Sequence, residues 1–340
     1  MLKKGLIQAY TTPSNEFNFA PIGLCLRAAG RGLRSVIFRF SNQGTVQAYN
    51  QATSYFPQYL HSALIDVCAN RSKIRHTESG HGAALSQVRK TVVQGLYDLV
   101  VLLDVDVVLA SGIVSEQDLI EICQNKGPQS ELILSGKYLP KSVLSIADLV
   151  TNMDVQPIKG DLIENLPRAS QAEIITGNGK GKTTYALGKA FLTSCSGLPC
   201  LMLQFIKSPM RYGEIIAASQ LPHFVVKTMG KGFIYGTADH EKDKHIDAAR
   251  QAWEEFKMQL GSGKYRLIIL DEINIATSYN LLEATEVARA LRDRPPGVNL
   301  LLTGRNAHPD VIKMATTVIE MQEVKHPFHK GIKARKGIEF

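Results

Sequence analysis

The chain has 340 residues, 44% of them hydrophobic and 21% charged, enough to bury the cores of two ordinary domains. A formal net charge of +8 suits an anionic ligand, but no compact Lys/Arg run with interleaved aromatics argues for nucleic acid. No apolar run reaches membrane-spanning length, and five scattered cysteines form neither a CxxC pair nor a disulfide rhythm, so a cytoplasmic protein without membrane contact is expected.

A strand pattern begins at once, from Gly5 to Tyr10, so no signal peptide is expected ahead of it. The basic segment from Arg27 through Arg31 to Arg34 reads as the charged end of a helix and its solvated turn. A further apolar run, Leu99 to Leu103, is followed by Asp104. Between Pro157 and Ser170 the apolar periodicity is broken by Gly160, Pro167, Arg168 and Ser170. The expected division is a first domain over residues 1–157, a linker over 158–170 and a second domain over 171–340.

The second domain opens on the most informative stretch of the chain. Ile174 and Ile175 lead into a loop with glycine at Gly177, Gly179 and Gly181, and a helical pattern starts after Lys182, Thr183 and Thr184. Strand, glycine-rich loop and helix form a phosphate cradle, because successive N–H groups point into one concavity and the helix N-terminus adds positive potential. The lysine reaches phosphate oxygens and the Thr183 hydroxyl is placed to ligate Mg²⁺. Thr176 stands where the G-x-x-x-x-G-K-[ST] pattern has its first glycine. The alternative is a glycine-rich turn that happens to precede a helix, but both flanking elements are those the motif requires.

Pro199 to Ile206 then reads as a buried strand with Lys207 at its C-terminal end, the side on which open parallel sheets bind ligands. The loop from Thr228 to Thr237 carries Phe233 and Tyr235, which suit either a flat ligand or anchorage of the loop on the core. A helix is expected from about Asp239 to Leu260. Leu267 to Leu270 ends in Asp271 and Glu272, and an acid at such a strand end completes a Mg²⁺ shell opposite the loop hydroxyl. Arg305, after the strand Leu300–Thr303, is either a phosphate contact or an ordinary solvated arginine.

An internal repeat links the two domains. At an offset of 165 residues Thr11 aligns with Thr176, Gly23 with Gly188, Gly32 with Gly197 and Phe40 with Phe205. At 168 residues Tyr97 aligns with Tyr265, Leu102 with Leu270, Gly136 with Gly304 and Met153 with Met321. The first copy has lost the phosphate chemistry: Glu16, Phe17 and Asn18 replace Gly181, Lys182 and Thr183, and Leu103 lies opposite Asp271. The expected architecture is α/β, two P-loop (RecA-like) domains, each a mostly parallel sheet flanked by helices, associated as an intrachain pseudo-dimer.

The segments Thr176–Thr184, Gln204–Lys207, Leu270–Asn274, Thr303–His308 and the closing tail Val324–Phe340 together resemble the ATP:corrinoid adenosyltransferases of cobalamin biosynthesis and salvage. The resemblance covers nearly all of residues 171–340 and, more faintly, the first copy, which has no counterpart of the tail. It implies transfer of the 5′-deoxyadenosyl group of ATP to corrinoid Co(I), with triphosphate released and corrinoid Co(II) first reduced to Co(I) by an electron donor such as a reduced flavoprotein. Position by position it implies that Gly177, Asn178, Gly179, Lys180, Gly181, Lys182, Thr183 and Thr184 cradle phosphates. Lys182 and Glu272 would then be catalytic, and Thr183, Glu272 and the neighbouring Asp271 would hold Mg²⁺. Phe233 and Tyr235 match an aromatic pair facing the lower side of the corrin. Leu192 stands where the family often has arginine, and the first copy has Arg27 there. The erased first copy and Leu192 also suit a weakened ATP- or corrinoid-binding protein with a regulatory or carrier role.

Overall fold

The computed structural model describes residues 2–14, 16–41, 46–65, 78–157, 170–232 and 239–340. The first half runs β1 (Ile7–Thr11), α1 (Ala20–Ala29), β2 (Ser35–Arg39), α2 (Val46–Tyr55), β3 (Leu60–Leu64) and α3 (Glu78–Gln94), then β4 (Leu99–Leu103), α4 (Val105–Ala110), α5 (Glu116–Gln124), β5 (Glu131–Gly136), α6 (Lys141–Ile146) and β6 (Leu149–Pro157). The second half repeats that order: β7 (Ala172–Thr176), α7 (Lys182–Cys195), β8 (Cys200–Gln204), α8 (Gly213–Ala218), β9 (Phe224–Thr228), α9 (Asp239–Gly261), β10 (Leu267–Asp271), α10 (Ile273–Ser278), α11 (Ala284–Arg292), β11 (Asn299–Thr303), α12 (Pro309–Ile312) and β12 (Thr317–Lys325). Strands such as Leu-Val-Val-Leu-Leu in β4 and Leu-Ile-Ile-Leu-Asp in β10 are buried along their whole length, as expected of parallel strands covered by helices on both faces.

Rather than two separate sheets, the halves share one twelve-stranded sheet among the described residues, ordered β3-β2-β4-β5-β1-β6-β12-β7-β11-β10-β8-β9. Its pairings are parallel except at the seam, where β6 and β12 run antiparallel. There Met153 pairs with Met321, two residues in equivalent positions of the repeat, and both are fully buried. Because the strands reverse direction across the seam, the C-terminal edge of the second half lies beside the N-terminal edge of the first.

A second contact between equivalents lies above the seam, where α1 crosses α7. A Cβ on Gly23 would stand 1.8 Å from the Thr184 carbonyl oxygen, and one on Gly188 would stand 2.1 Å from the Phe19 carbonyl oxygen. The two helices approach backbone to backbone, which is the physical reason both positions are glycine. One apolar cluster spans this region, uniting Tyr10, Ile22 and Leu26 with Ile175, Tyr185, Phe191 and Met321, while each half keeps a cluster of its own on the other face. No helix among the described residues is long and apolar enough to cross a membrane.

Candidate active site

The C-terminal edge of the second half gathers the residues that the sequence singled out there. Gly177 (φ 89°) and Gly181 (φ 116°) take left-handed backbone that favours glycine, and Gly181 caps α7. Gly179 donates its N–H to the Met321 carbonyl at 2.6 Å, and a Cβ there would stand 2.8 Å from that oxygen. The loop is therefore pressed against β12. Thr176, in the place of the motif's first glycine, ends β7 and its hydroxyl accepts from the Ala307 N–H at 3.3 Å.

The Lys182 ammonium donates to the carbonyls of Gly177 and Gly179, both at 2.7 Å, and so spans the loop from within. Burial lowers its pKa, with Glu272 opposing that shift. Lys180 points elsewhere, to the Glu339 carboxylate at 2.9 Å. The Thr184 hydroxyl donates back to the Gly181 carbonyl at 3.1 Å and closes the first turn of the helix. Arg305 is exposed and reaches the Asn178 carbonyl at 3.3 Å, so it borders the loop.

Asp271 is wholly buried and fully engaged. Its Oδ1 accepts from the hydroxyls of Thr183 (2.9 Å) and Thr303 (2.8 Å), and its Oδ2 accepts from Gln204 Nε2 (3.0 Å). Lys207 Nζ lies 3.8 Å from the same Oδ2. Glu272 follows in the left-handed region (φ 65°), its N–H held by the Thr303 hydroxyl at 3.0 Å. Its Oε2 is buried without a hydrogen-bond partner. Burial first, and then the adjacent Asp271, push its pKa upward. A buried, unpaired carboxylate oxygen beside a phosphate cradle is the donor expected for a cation brought in with phosphates. Among the described residues no group of three or more His, Cys, Asp or Glu forms a protein-only metal cage.

Phe233 and Tyr235 lie outside the described residues. Arg27 corrects the sequence reading: it is 4% exposed rather than solvated, because it crosses from the first half to Glu214 of α8 and to the chain's last residues. The sequence marks Gln204 and Thr303 only as parts of motifs, and Glu214 carries no signal there, since its partner Arg27 lies 187 residues away. The tail folds back onto the first half. Ile338 is buried, Arg335 pairs with the buried Glu131 at 2.8 and 2.9 Å, and a Cβ on Gly337 would meet the Leu33 side chain at 2.4 Å.

The equivalent place in the first half is built otherwise. Glu16 is exposed, Phe17 stacks edge-on against Phe19 with centroids 4.8 Å apart, and Asp104 accepts from Ser41. Thr12, Asn18, Asp104, Asp106 and Lys137 line a small cavity of about 90 Å³.

A glycine-rich loop between parallel strand and helix, with a lysine, a hydroxyl and a strand-end acid pair around it, defines a P-loop nucleotide-binding protein. The family model for ATP:corrinoid adenosyltransferase BtuR/CobO/CobP matches residues 3–160 and again 168–340, so the chain belongs to that family, as a tandem duplication. It is 41% identical over 170 residues to a corrinoid adenosyltransferase from Sinorhizobium sp., covering 48% of this chain and 78% of the relative. The corrinoid adenosyltransferase of Escherichia coli K12 is 37% identical over 168 residues, 49% of this chain and 84% of that one. The uncharacterized protein all2391 of Nostoc sp. is 26% identical over 368 aligned residues, spanning 99% of this chain and 95% of its own length.

Proposed function

We infer that this chain transfers the 5′-deoxyadenosyl group of ATP to the Co(I) centre of a corrinoid. The Co–C5′ bond forms, the C5′–O5′ bond breaks, and triphosphate leaves. The observation that carries this reading is the family match to residues 168–340, the half in which lysine, hydroxyl and acid pair surround the loop. Cobalt is itself the nucleophile, so the protein's work is positioning and charge neutralisation. Residues Gly177 to Thr184 would cradle the phosphates, with Lys182 neutralising the leaving group and Arg305 at the rim. Thr183 and Glu272 would hold Mg²⁺, with Asp271 orienting the Thr183 hydroxyl. When bound, Mg²⁺ supplies positive charge to the triphosphate as it departs. Phe233 and Tyr235, by the family resemblance, would face the lower side of the corrin.

The same reading takes residues 1–157 as the inactive member of a built-in pseudo-dimer, joined through residues 158–170, in a cytoplasmic enzyme whose corrinoid Co(II) is reduced to Co(I) by an electron donor such as a reduced flavoprotein. The equivalent-to-equivalent contacts at Met153–Met321 and Gly23–Gly188 support it. The decisive assay incubates the full chain with ATP, Mg²⁺ and chemically reduced corrinoid and identifies the products. Adenosylcorrinoid with triphosphate is expected. ADP with phosphate, or ATP binding without turnover, would overturn the assignment.

A further inference from the structure

We propose that Arg27, carried by the half with the erased phosphate loop, is a positioning residue for the nucleotide site of the other half. The inference rests on reading residues 177–184 as the ATP site. Arg27 Nε donates to Glu214 Oε2 at 3.0 Å, and its Nη1 donates to the carbonyls of Ile338 at 2.9 Å and Glu339 at 3.1 Å. Three acceptors on a buried guanidinium fix its plane, which a solvated arginine would not require.

From those acceptors two short paths lead to the site. Along the first, Glu214 Oε1 accepts from Lys207 Nζ at 2.6 Å, and that ammonium stands 3.8 Å from Asp271, the residue that orients Thr183. Glu214 is fully buried, so without Arg27 its charge would be left to Lys207 alone. Along the second, Arg27 fixes the backbone at Glu339, whose carboxylate holds Lys180 of the phosphate loop at 2.9 Å. One guanidinium thus sets both walls of the cradle.

The repeat explains why the arginine stands in this half. Arg27 and Leu192 are equivalents on helices that cross at Gly23 and Gly188, so the end of each helix is delivered to the opposite half. The end of α1 meets Glu214 and the tail. Helix α7 packs on α2, where Tyr49 occupies the position equivalent to Glu214, and the first copy has no tail. Leu192 shares an apolar cluster with Tyr49. An arginine is present where a buried acid and two carbonyls await it, and a leucine where a phenol ring does.

The test is calorimetric titration of ATP and Mg²⁺ into the full chain without corrinoid, for Arg27→Met, Arg27→Lys and Glu339→Gln, with thermal melting beside it. Arg27→Met should weaken ATP affinity about tenfold, the order expected for losing a charged buried hydrogen-bond set. Arg27→Lys restores the charge at Glu214 but not the fork to the tail, and should recover part of that loss. Glu339→Gln should weaken affinity by itself, and adding it to Arg27→Lys should cost less than the sum of the two. If Arg27→Met does not fold, the lysine and glutamine variants carry the test. Wild-type ATP affinity in Arg27→Met, or strict additivity of Arg27→Lys with Glu339→Gln, would overturn the proposal. A wild-type chain that binds ATP but transfers no adenosyl group would sink the proposed reaction and leave this test standing.

Discussion

At the ends of β4 and β10 the backbone takes the same left-handed step, at Asp104 (φ 59°) and Glu272 (φ 65°), and then enters a short helix. The strands before them are equally apolar and equally buried. What differs is a handful of side chains: Phe17 for Lys182, Asn18 for Thr183, Leu103 for Asp271. The backbone path and apolar faces that make the fold are thus separable from the charges that make the site. A half that no longer needs the charges can drop them and still supply Arg27, Leu33, Glu131 and the α1 surface to its neighbour.

The sharpest way to break this contrast is at Lys182 and Glu272. Lys182→Ala should lower adenosyl transfer by about a hundredfold or more while the thermal midpoint stays near wild type, as for loss of a charge-stabilising contact in a transition state. Glu272→Gln should lose activity on a similar scale. Because burial and Asp271 raise the Glu272 pKa, removing its charge should leave the protein at least as stable at pH 7. Near-normal turnover in either variant would remove the second half's claim to the site.

The next effect is on folding. Gly188→Ala puts a Cβ 2.1 Å from the Phe19 carbonyl oxygen and 2.8 Å from the Gly23 amide nitrogen, both backbone atoms that move only with their helix. Denaturant unfolding should show a loss of about 1–3 kcal/mol or more, the range for forced overpacking. An unchanged midpoint would mean that the α1–α7 crossing does not join the halves.

The repeat, the strand-loop-helix, the acid-ended strand and the erased first loop were all legible in the sequence, because periodicity and glycine spacing act locally. The single sheet was not, since nothing in Val318 or Val155 announces that β12 will pair antiparallel with β6. Arg27 was misread for a related reason. Its partners lie 187, 311 and 312 residues away, and an arginine in a basic segment at a helix end looks solvated. The equality of Gly23 and Gly188 was visible; only the structure explains it, as a contact on the line relating the two copies.

A smaller and reversible effect follows from acid. Burial alone would raise the Glu214 pKa, but Arg27 and Lys207 outweigh it and hold that carboxyl well below the usual range; Lys180 and Arg335 likewise outweigh burial at Glu339 and lower its pKa. A carboxyl with a depressed folded-state pKa stabilises above its unfolded value, about 4.3, and loses that contribution as pH falls toward the folded value. Glu214→Gln should therefore melt below wild type at pH 7, and the gap should narrow as the pH drops below about 4. A gap that is constant from pH 7 to pH 3 would show that this acid is not tied across the halves by charge.

The smallest effect is expected at Asp104, the counterpart of Glu272, and it is the most telling control. Asparagine tolerates left-handed backbone at least as well as aspartate does, so Asp104→Asn keeps the step at the end of β4. Its amide oxygen can still accept from the Ser41 hydroxyl. Burial, with Asp106 adding to it, raises the Asp104 pKa, so removing the charge should leave stability at pH 7 unchanged or raise it by up to about 0.5 kcal/mol. Glu272→Gln shares that direction on stability, because its charge is disfavoured by burial in the same way. The two variants should part on function alone: Asp104→Asn should keep adenosyl transfer within about twofold of wild type and titrate one ATP per chain, while Glu272→Gln loses turnover. Loss of activity in Asp104→Asn on the scale of Glu272→Gln, or disappearance of one of two ATP sites, would mean that the first half still works as an enzyme.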